Sequence, residues 1–168
     1  TYTLRIGSEG AIDLSDCDIS LENSVYPYTG NDNRPAVVAT YLGKSLKLGI
    51  DYTATYTNNK EVGTGKVTIT GKGIFAGSID KTFTINKQSI NGYAASLSTT
   101  SYYYNGIAKK PAVTVKDSKG NILTPDNYTV VYSNNINIGT GYVTISGKGN
   151  YTGSIKNSFS IIELIPSS

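Results

Sequence analysis

The sequence contains no histidine, no tryptophan and no methionine, and its single cysteine is Cys17. Without an imidazole, the common nucleophile–base triads and histidine-based proton transfer have no base to work with. One thiol forms no intrachain disulfide and cannot build a zinc site from cysteine and histidine. Charged side chains make up only 16% of the 168 residues, and 15 Lys+Arg against 12 Asp+Glu leave a net charge of +3. The two signs are interspersed, so there is no phosphate-binding stripe and no nucleic-acid partner is expected. No apolar run approaches the roughly 18 residues of a membrane-crossing helix, so direct membrane insertion is not expected either. No segment reads as a secretory signal, and any targeting or anchoring signal is expected outside this span.

What is abundant is tyrosine (14 residues) and glycine (18), in a background of threonine, serine and asparagine. Threonine, tyrosine, valine and isoleucine suit a pleated, half-buried surface, and glycine and asparagine suit tight turns. The composition therefore points to an all-β chain of short strands. A self-match at a constant shift of 76 residues is its strongest feature. Of the 60 positions from 26 to 85, 25 are identical to their counterparts at 102 to 161, without a gap. Tyr26-Pro27-Tyr28-Thr29-Gly30 returns as Tyr102-Tyr103-Tyr104-Asn105-Gly106, and Pro35-Ala36-Val37 as Pro111-Ala112-Val113. Such a period means one structural unit used twice, and its length predicts a separate core for each copy.

Alternation marks the strands. Val67 and Ile69 alternate with Lys66, Thr68 and Thr70; Phe83 and Ile85 alternate with Thr82 and Thr84; Tyr52, Ala54 and Tyr56 share one face. Further strands are expected over Ile19–Leu21, Ala36–Tyr41 and Ser78–Ile85, each with its counterpart 76 residues on. Asn58-Asn59 and Gly71-Lys72-Gly73 supply turns, with positive φ expected in the glycine pair. No stretch has the period of a helix. Six or seven strands per copy predict two tandem small Ig-like β-sandwich domains, at residues 15–86 and 87–162, with a tail at 163–168. Residues 1–14 read as an N-terminal segment, whose Thr1-Tyr2-Thr3-Leu4 is similar to Thr82-Phe83-Thr84-Ile85 and suggests the last strand of a preceding domain. Asn86–Asn91 is read as a short connection allowing limited bending.

The motifs also form an ordered string. Asp51-Tyr52-Thr53 is followed by Tyr56-x-Asn58-Asn59, then Gly63-Thr64-Gly65-x-Val67-Thr68-Ile69, then Gly71-Lys72-Gly73-x-Phe75-x-Gly77-Ser78, then Phe83-x-Ile85. This string resembles the Ig-like tandem repeats of large surface and secreted proteins of Gram-positive gut bacteria, over roughly residues 15–162. The resemblance implies a β-sandwich, an extracellular setting at the cell surface or in secreted form, and a place beside adhesive or carbohydrate-active modules. It transfers no catalytic residue. Phe75 stands where the pattern often has tyrosine, and Asn127 stands in the second copy for the usual aspartate.

A search for chemistry returns little. Asp13, Asp16, Asp18 and Glu22 form the densest acidic group, but their counterparts Ser89, Gly92, Ala94 and Ser98 carry no charge. They read as solvated, not as a calcium loop. The glycine motifs match neither a Walker loop nor a dinucleotide fingerprint. Cys17 lies opposite Tyr93 and reads as a packing residue. A Lys–Asn crosslink would need a repeated pair, and Lys81 aligns with Asn157 instead. No catalytic residue, metal or cofactor is expected, and the chain does not read as an enzyme. Aromatics present in only one copy are the remaining candidates for a ligand: Tyr41 (opposite Asp117), Tyr93 (opposite Cys17), Tyr103 (opposite Pro27) and Tyr142 (opposite Lys66). By alternation Tyr103 and Tyr142 should face outward. Two functions follow. One is a spacer or display module whose partners are neighbouring domains of the same polypeptide, the chain being a monomer. The other is a carbohydrate-binding or adhesive module that takes a polysaccharide or host glycan on these tyrosines.

Overall fold

In a computed structural model that describes residues 10–167, the regular structure is β-strand apart from two single-turn 3-10 segments at Leu14–Asp16 and Pro125–Asn127, and turns and loops make up the rest of the described residues. It divides between Asn86 and Lys87 into two units. The first holds β1 (Ile12–Asp13), β2 (Asp18–Leu21), β3 (Val25–Pro27), β4 (Val37–Tyr41), β5 (Lys44–Ser45), β6 (Tyr52–Thr57), β7 (Gly63–Gly71), β8 (Phe75–Ala76) and β9 (Ser78–Asn86). The second holds β10 (Gln88–Ser89), β11 (Ala94–Leu97), β12 (Ser101–Tyr103), β13 (Val113–Lys116), β14 (Ile122–Leu123), β15 (Tyr128–Ser133), β16 (Gly139–Gly147), β17 (Tyr151–Thr152) and β18 (Ser154–Ile162). Apart from the β4–β5 region, each strand recurs at the 76-residue shift. The count exceeds the six or seven expected because β1, β8 and their counterparts are two-residue pieces, too short to show a period.

Each unit is a β-sandwich. A four-stranded sheet of order β3-β9-β7-β6 and a three-stranded sheet of order β2-β4-β5 close over one core, and β1 pairs with β8. In the second unit the orders are β12-β18-β16-β15, β11-β13-β14 and β10-β17. The long central strands are antiparallel (Ile69 opposite Ile79 and Ile145 opposite Ile155), whereas β3 runs parallel to β9 and β12 parallel to β18. Alternation works as expected. Val67, Ile69, Phe83 and Ile85 are buried in the first core, and Val143, Ile145, Phe159 and Ile161 in the second.

Two expectations about boundaries are corrected. The first unit begins before residue 15: Ile12 and Asp13 pair with Phe75 and Ala76, and Leu14 is fully buried. The stretch Asn86–Asn91 is not a linker. Asn86 ends β9, Gln88 and Ser89 pair with Tyr151 and Thr152, and Ile90 is fully buried, so Lys87 alone lies between the strands of the two units. The likeness of Thr1–Leu4 to a last strand falls outside the described residues.

The shared motifs resolve into specific contacts. A Cβ on Gly65 would lie 2.3 Å from Phe83 Cζ, and one on Gly141 2.4 Å from Phe159 Cζ, so each phenyl ring covers a bare patch of the neighbouring strand. Tyr26 and Tyr102 meet the same rings edge-on, with centroids 5.8 and 5.7 Å apart. In the Gly71-Lys72-Gly73 turn only Gly73 has positive φ (66°). Gly71 is required for a different reason: a Cβ there would stand 2.7 Å from the backbone nitrogen of Ala76. The Tyr-x-Asn-Asn motif is a clasp. The Tyr56 hydroxyl donates to the Pro35 carbonyl (2.8 Å), Asn59 Nδ2 to the Asn33 carbonyl (3.0 Å), and the Asn33 N–H returns to the Asn59 carbonyl (2.7 Å). Tyr132, Pro111, Asn135 and Lys109 repeat it at 2.7, 2.8 and 2.7 Å. Asn58 and Asn134 supply the left-handed step, both at φ 50°.

Pro27 is tolerated for a positional reason. The Tyr28 N–H donates to the Asn86 carbonyl, so by alternation the preceding nitrogen faces away from the sheet on an edge strand, where no donor is needed. Tyr103 can therefore replace it in the second unit without altering the ladder.

Candidate functional site

The residues that differ between the units are where a ligand would be sought. On the outer face of the second unit's large sheet, Tyr103 pairs with Ile162 and Tyr142 with Ser158. Both tyrosines face away from the core and flank β18 on opposite sides. Four residues along β18 separate their levels, about 13 Å at the usual strand rise. Tyr103 is 58% exposed and its neighbour Ile162 43%. Tyr142 is half-buried, because Lys156 from β18 lays its ammonium 4.1 Å from the ring centroid, a cation–π contact that occupies one face of the ring.

The same two positions in the first unit hold an ion pair. Lys66 Nζ lies 3.0 Å from Asp80 Oδ2, and the Thr68 hydroxyl donates to Asp80 Oδ1 at 2.6 Å. The hydrogen bond from Thr68, followed by that from Lys66, holds the Asp80 carboxyl below its ordinary value.

The four candidate tyrosines do not belong to a single unit. Tyr41 belongs to the first unit and packs edge-on against Phe75, with centroids 6.1 Å apart. Tyr93 packs against the second core and lines a small depression of about 80 Å³ with Asp117, Asn121 and Tyr151. Both stand beside a loop that differs between the units. The β4–β5 hairpin turns on Leu42-Gly43, whereas its counterpart turns around the Asp117 carboxylate, which accepts from the N–H groups of Lys119 and Asn121, both at 2.8 Å. The Asn121 side chain, then its backbone N–H, lowers the Asp117 pKa.

The remaining candidates are also absorbed locally. Asp13 accepts from the Ser15 N–H at 2.8 Å as the cap of the 3-10 segment, and that bond lowers its pKa. No group of three or more acidic, cysteine or histidine side chains capable of holding a metal ion occurs among the described residues. Cys17 is half-buried against the first core; burial first, then the charges of Asp16, Asp13 and Asp18, raise its pKa, which favours the protonated thiol at neutral pH. The Asp51/Asn127 exchange inverts a role: Asp51 accepts from the Lys47 N–H (2.7 Å), whereas Asn127 donates to the Thr124 hydroxyl (2.8 Å).

Two features were not foreseen. Shallow depressions of about 450 and 440 Å³ lie at equivalent hairpin ends, lined by Lys60, Glu61 and Val62 in the first unit and by Ile136, Asn137 and Ile138 in the second. The clasp residue Lys109 is a nearly buried cation whose ammonium donates to Asn105 Oδ1 and lies 5.8 Å from the Tyr102 ring centroid; its counterpart is the neutral Asn33.

No family model and no curated protein sequence matches the chain. Among solved structures, domains 4–9 of the surface layer protein SbsC align with 92% of this chain at 17% identity and a TM-score of 0.31. The chain spans 31% of that structure's length. A TM-score of 0.31 does not define a shared fold.

Proposed function

We propose that this chain is a non-catalytic extracellular spacer or display module of a bacterial surface or secreted multidomain protein. The observation that carries the reading is the path of the backbone through each unit. The chain enters at Ile12, beside Phe75 and the Gly71 end of β7, and leaves at Asn86, beyond the Gly63 end. A nine-residue β9 lies between, spanning roughly 30 Å. The second unit repeats this path from Gln88 to Ile162. Each unit thus converts its sequence into a fixed span, and one residue passes the chain on. The motifs common to both copies act in the clasp and beneath the phenyl rings, which is how a module selected for shape would use its shared residues.

The test is limited proteolysis at Lys87, whose side chain is exposed. The Asn86 carbonyl accepts from Tyr28 and the Gln88 N–H donates to the Asn150 carbonyl, so both sides of the bond are held in ladders. Trypsin needs locally unfolded backbone. The expected result is survival of the Lys87 bond under native conditions; rapid cutting there into two stable halves would make it a loose hinge and overturn the spacer reading.

A second reading, a glycan-binding or adhesive surface, is favoured by the shared outer face of Tyr103, Ile162 and Tyr142 in the second unit. Affinity electrophoresis through starch, xylan or mucin separates the two: retardation that disappears with Tyr103→Ala supports the glycan surface, and unretarded migration removes it.

A further inference from the structure

We propose that each unit is a mechanical clamp, built so that tension applied through the chain ends loads its first and last strands in shear. The proposal rests on the spacer reading only for the origin of the tension. In the first unit the entering strand β1 runs parallel to β8, which continues through Gly77 into β9, and β3 runs parallel to β9 itself. A pull backward on Ile12 and forward on Asn86 therefore slides parallel neighbours past one another. All their hydrogen bonds resist at once. In an antiparallel hairpin pulled from its open end, each bond pair carries the load in turn and the ladder unzips.

The bonds in the load path are well placed. The Ile12 N–H donates to the Ile74 carbonyl (2.9 Å), Thr84 to Ser24 (2.8 Å) and Tyr28 to Asn86 (2.8 Å), so the β3 clamp extends beyond both ends of its strand. In the second unit Gln88 donates to Asn150 (2.9 Å), Ile90 to Thr152 (2.8 Å), Ser160 to Thr100 (2.9 Å) and Tyr104 to Ile162 (2.8 Å). Immediately inside each entering strand sits a fully buried anchor, Leu14 or Ile90, which cannot leave the core until the short parallel pair has failed. The second unit adds one tie: Asn91 Oδ1 accepts from the Ser154 N–H at 2.9 Å, fastening the entry loop to the start of β18.

The experiment is single-molecule force spectroscopy on the full chain, with two attachment geometries at one loading rate. Held by its ends, the chain should give two unfolding events. Held instead through azide-bearing side chains introduced at residues 51 and 72, beside the Tyr52–Gly71 end of the β6–β7 pair, the first unit should open at a several-fold lower force. Asn91→Ala should lower one of the two end-held events and leave the other in place. End-held forces equal to or below the hairpin-held force would overturn the clamp. That outcome is separable from failure of the spacer reading, which the Lys87 bond reports in the absence of any load.

Discussion

On their two long central strands the units share the inward residues Gly65, Val67, Ile69, Phe83 and Ile85 with Gly141, Val143, Ile145, Phe159 and Ile161, and they differ at the outward pair 66/80 and 142/156. In both units a side chain from the central strand reaches a diagonal neighbour on the last strand. In the first the contact is Lys66 with Asp80, in the second Tyr142 with Lys156. The geometry of the contact survives while its chemistry changes from ion pair to cation–π. The inward partners tell the opposite story. Gly65 under Phe83 and Gly141 under Phe159 are the same arrangement with the same residues, because a position with no room for a methyl group admits no alternative.

The comparison can be broken at its most rigid point first. Gly65→Ala and Gly141→Ala should each destabilise their own unit by about 1–3 kcal/mol, since the phenyl ring must leave its rotamer or the strands must part. Amide exchange followed residue by residue reads each unit separately; an Ala variant as stable as the parent would mean that the ring has room to move. Next comes the clasp. Tyr56→Phe and Tyr132→Phe each leave the carbonyl of a fully buried proline without this donor, at a cost of about 1–3 kcal/mol. The two losses should agree, whereas a marked difference would show that Lys109 and Asn33 make the clasps unequal.

The smallest effect sharpens the contrast of the outer faces. The Asp80 pKa is lowered in the folded chain, so its contribution is present above the ordinary carboxylate value of about 3.9 and is lost as pH falls below that value through the folded pKa. Asp80→Asn should therefore flatten the acid limb of the first unit's stability curve, with Asp13 retaining part of it, and leave the second unit unchanged. Asp117→Asn should do the reverse. An acid limb in the first unit that is the same with and without Asp80 would show that the ion pair is structurally idle.

Much of the fold was legible in the sequence where periods are long enough to see. β6, β7, β9 and their counterparts follow from the alternation of residues such as Val67, Ile69, Phe83 and Ile85. Gly65 also stands in that alternation on the inward face and could have been read as the floor beneath an aromatic ring. The two-residue strands at Ile12–Asp13 and Gln88–Ser89 escaped because two residues carry no pattern; only Leu14 and Ile90, apolar and equivalent, hinted at them. The clasp joins residues 26 apart, and nothing local to Asn59 points to Asn33. For the candidate site, comparing copies picks out the variable positions, but it does not separate an aromatic on an open strand face, such as Tyr103, from one beside a rebuilt loop, such as Tyr41 or Tyr93. The outward facing of Tyr103 and Tyr142 followed from alternation, whereas the Lys156 ammonium on Tyr142 depends on strand register, which a single sequence does not display.

The contrasting outer pairs also bear on how the chain avoids tangling with itself. β9 and β18 are the last strands of their units, lie inside their sheets and share Ser-Ile-x-x-x-Phe-x-Ile, so during synthesis either could be drawn into the wrong slot. If β18 took the place of β9, Lys156 would arrive beside Lys66, setting two cations where the native neighbours attract. If β9 took the place of β18, Tyr142 would meet the carboxylate of Asp80 and lose its cation. Each crossed product would thus lose the attractive outer contact that the native pairing makes.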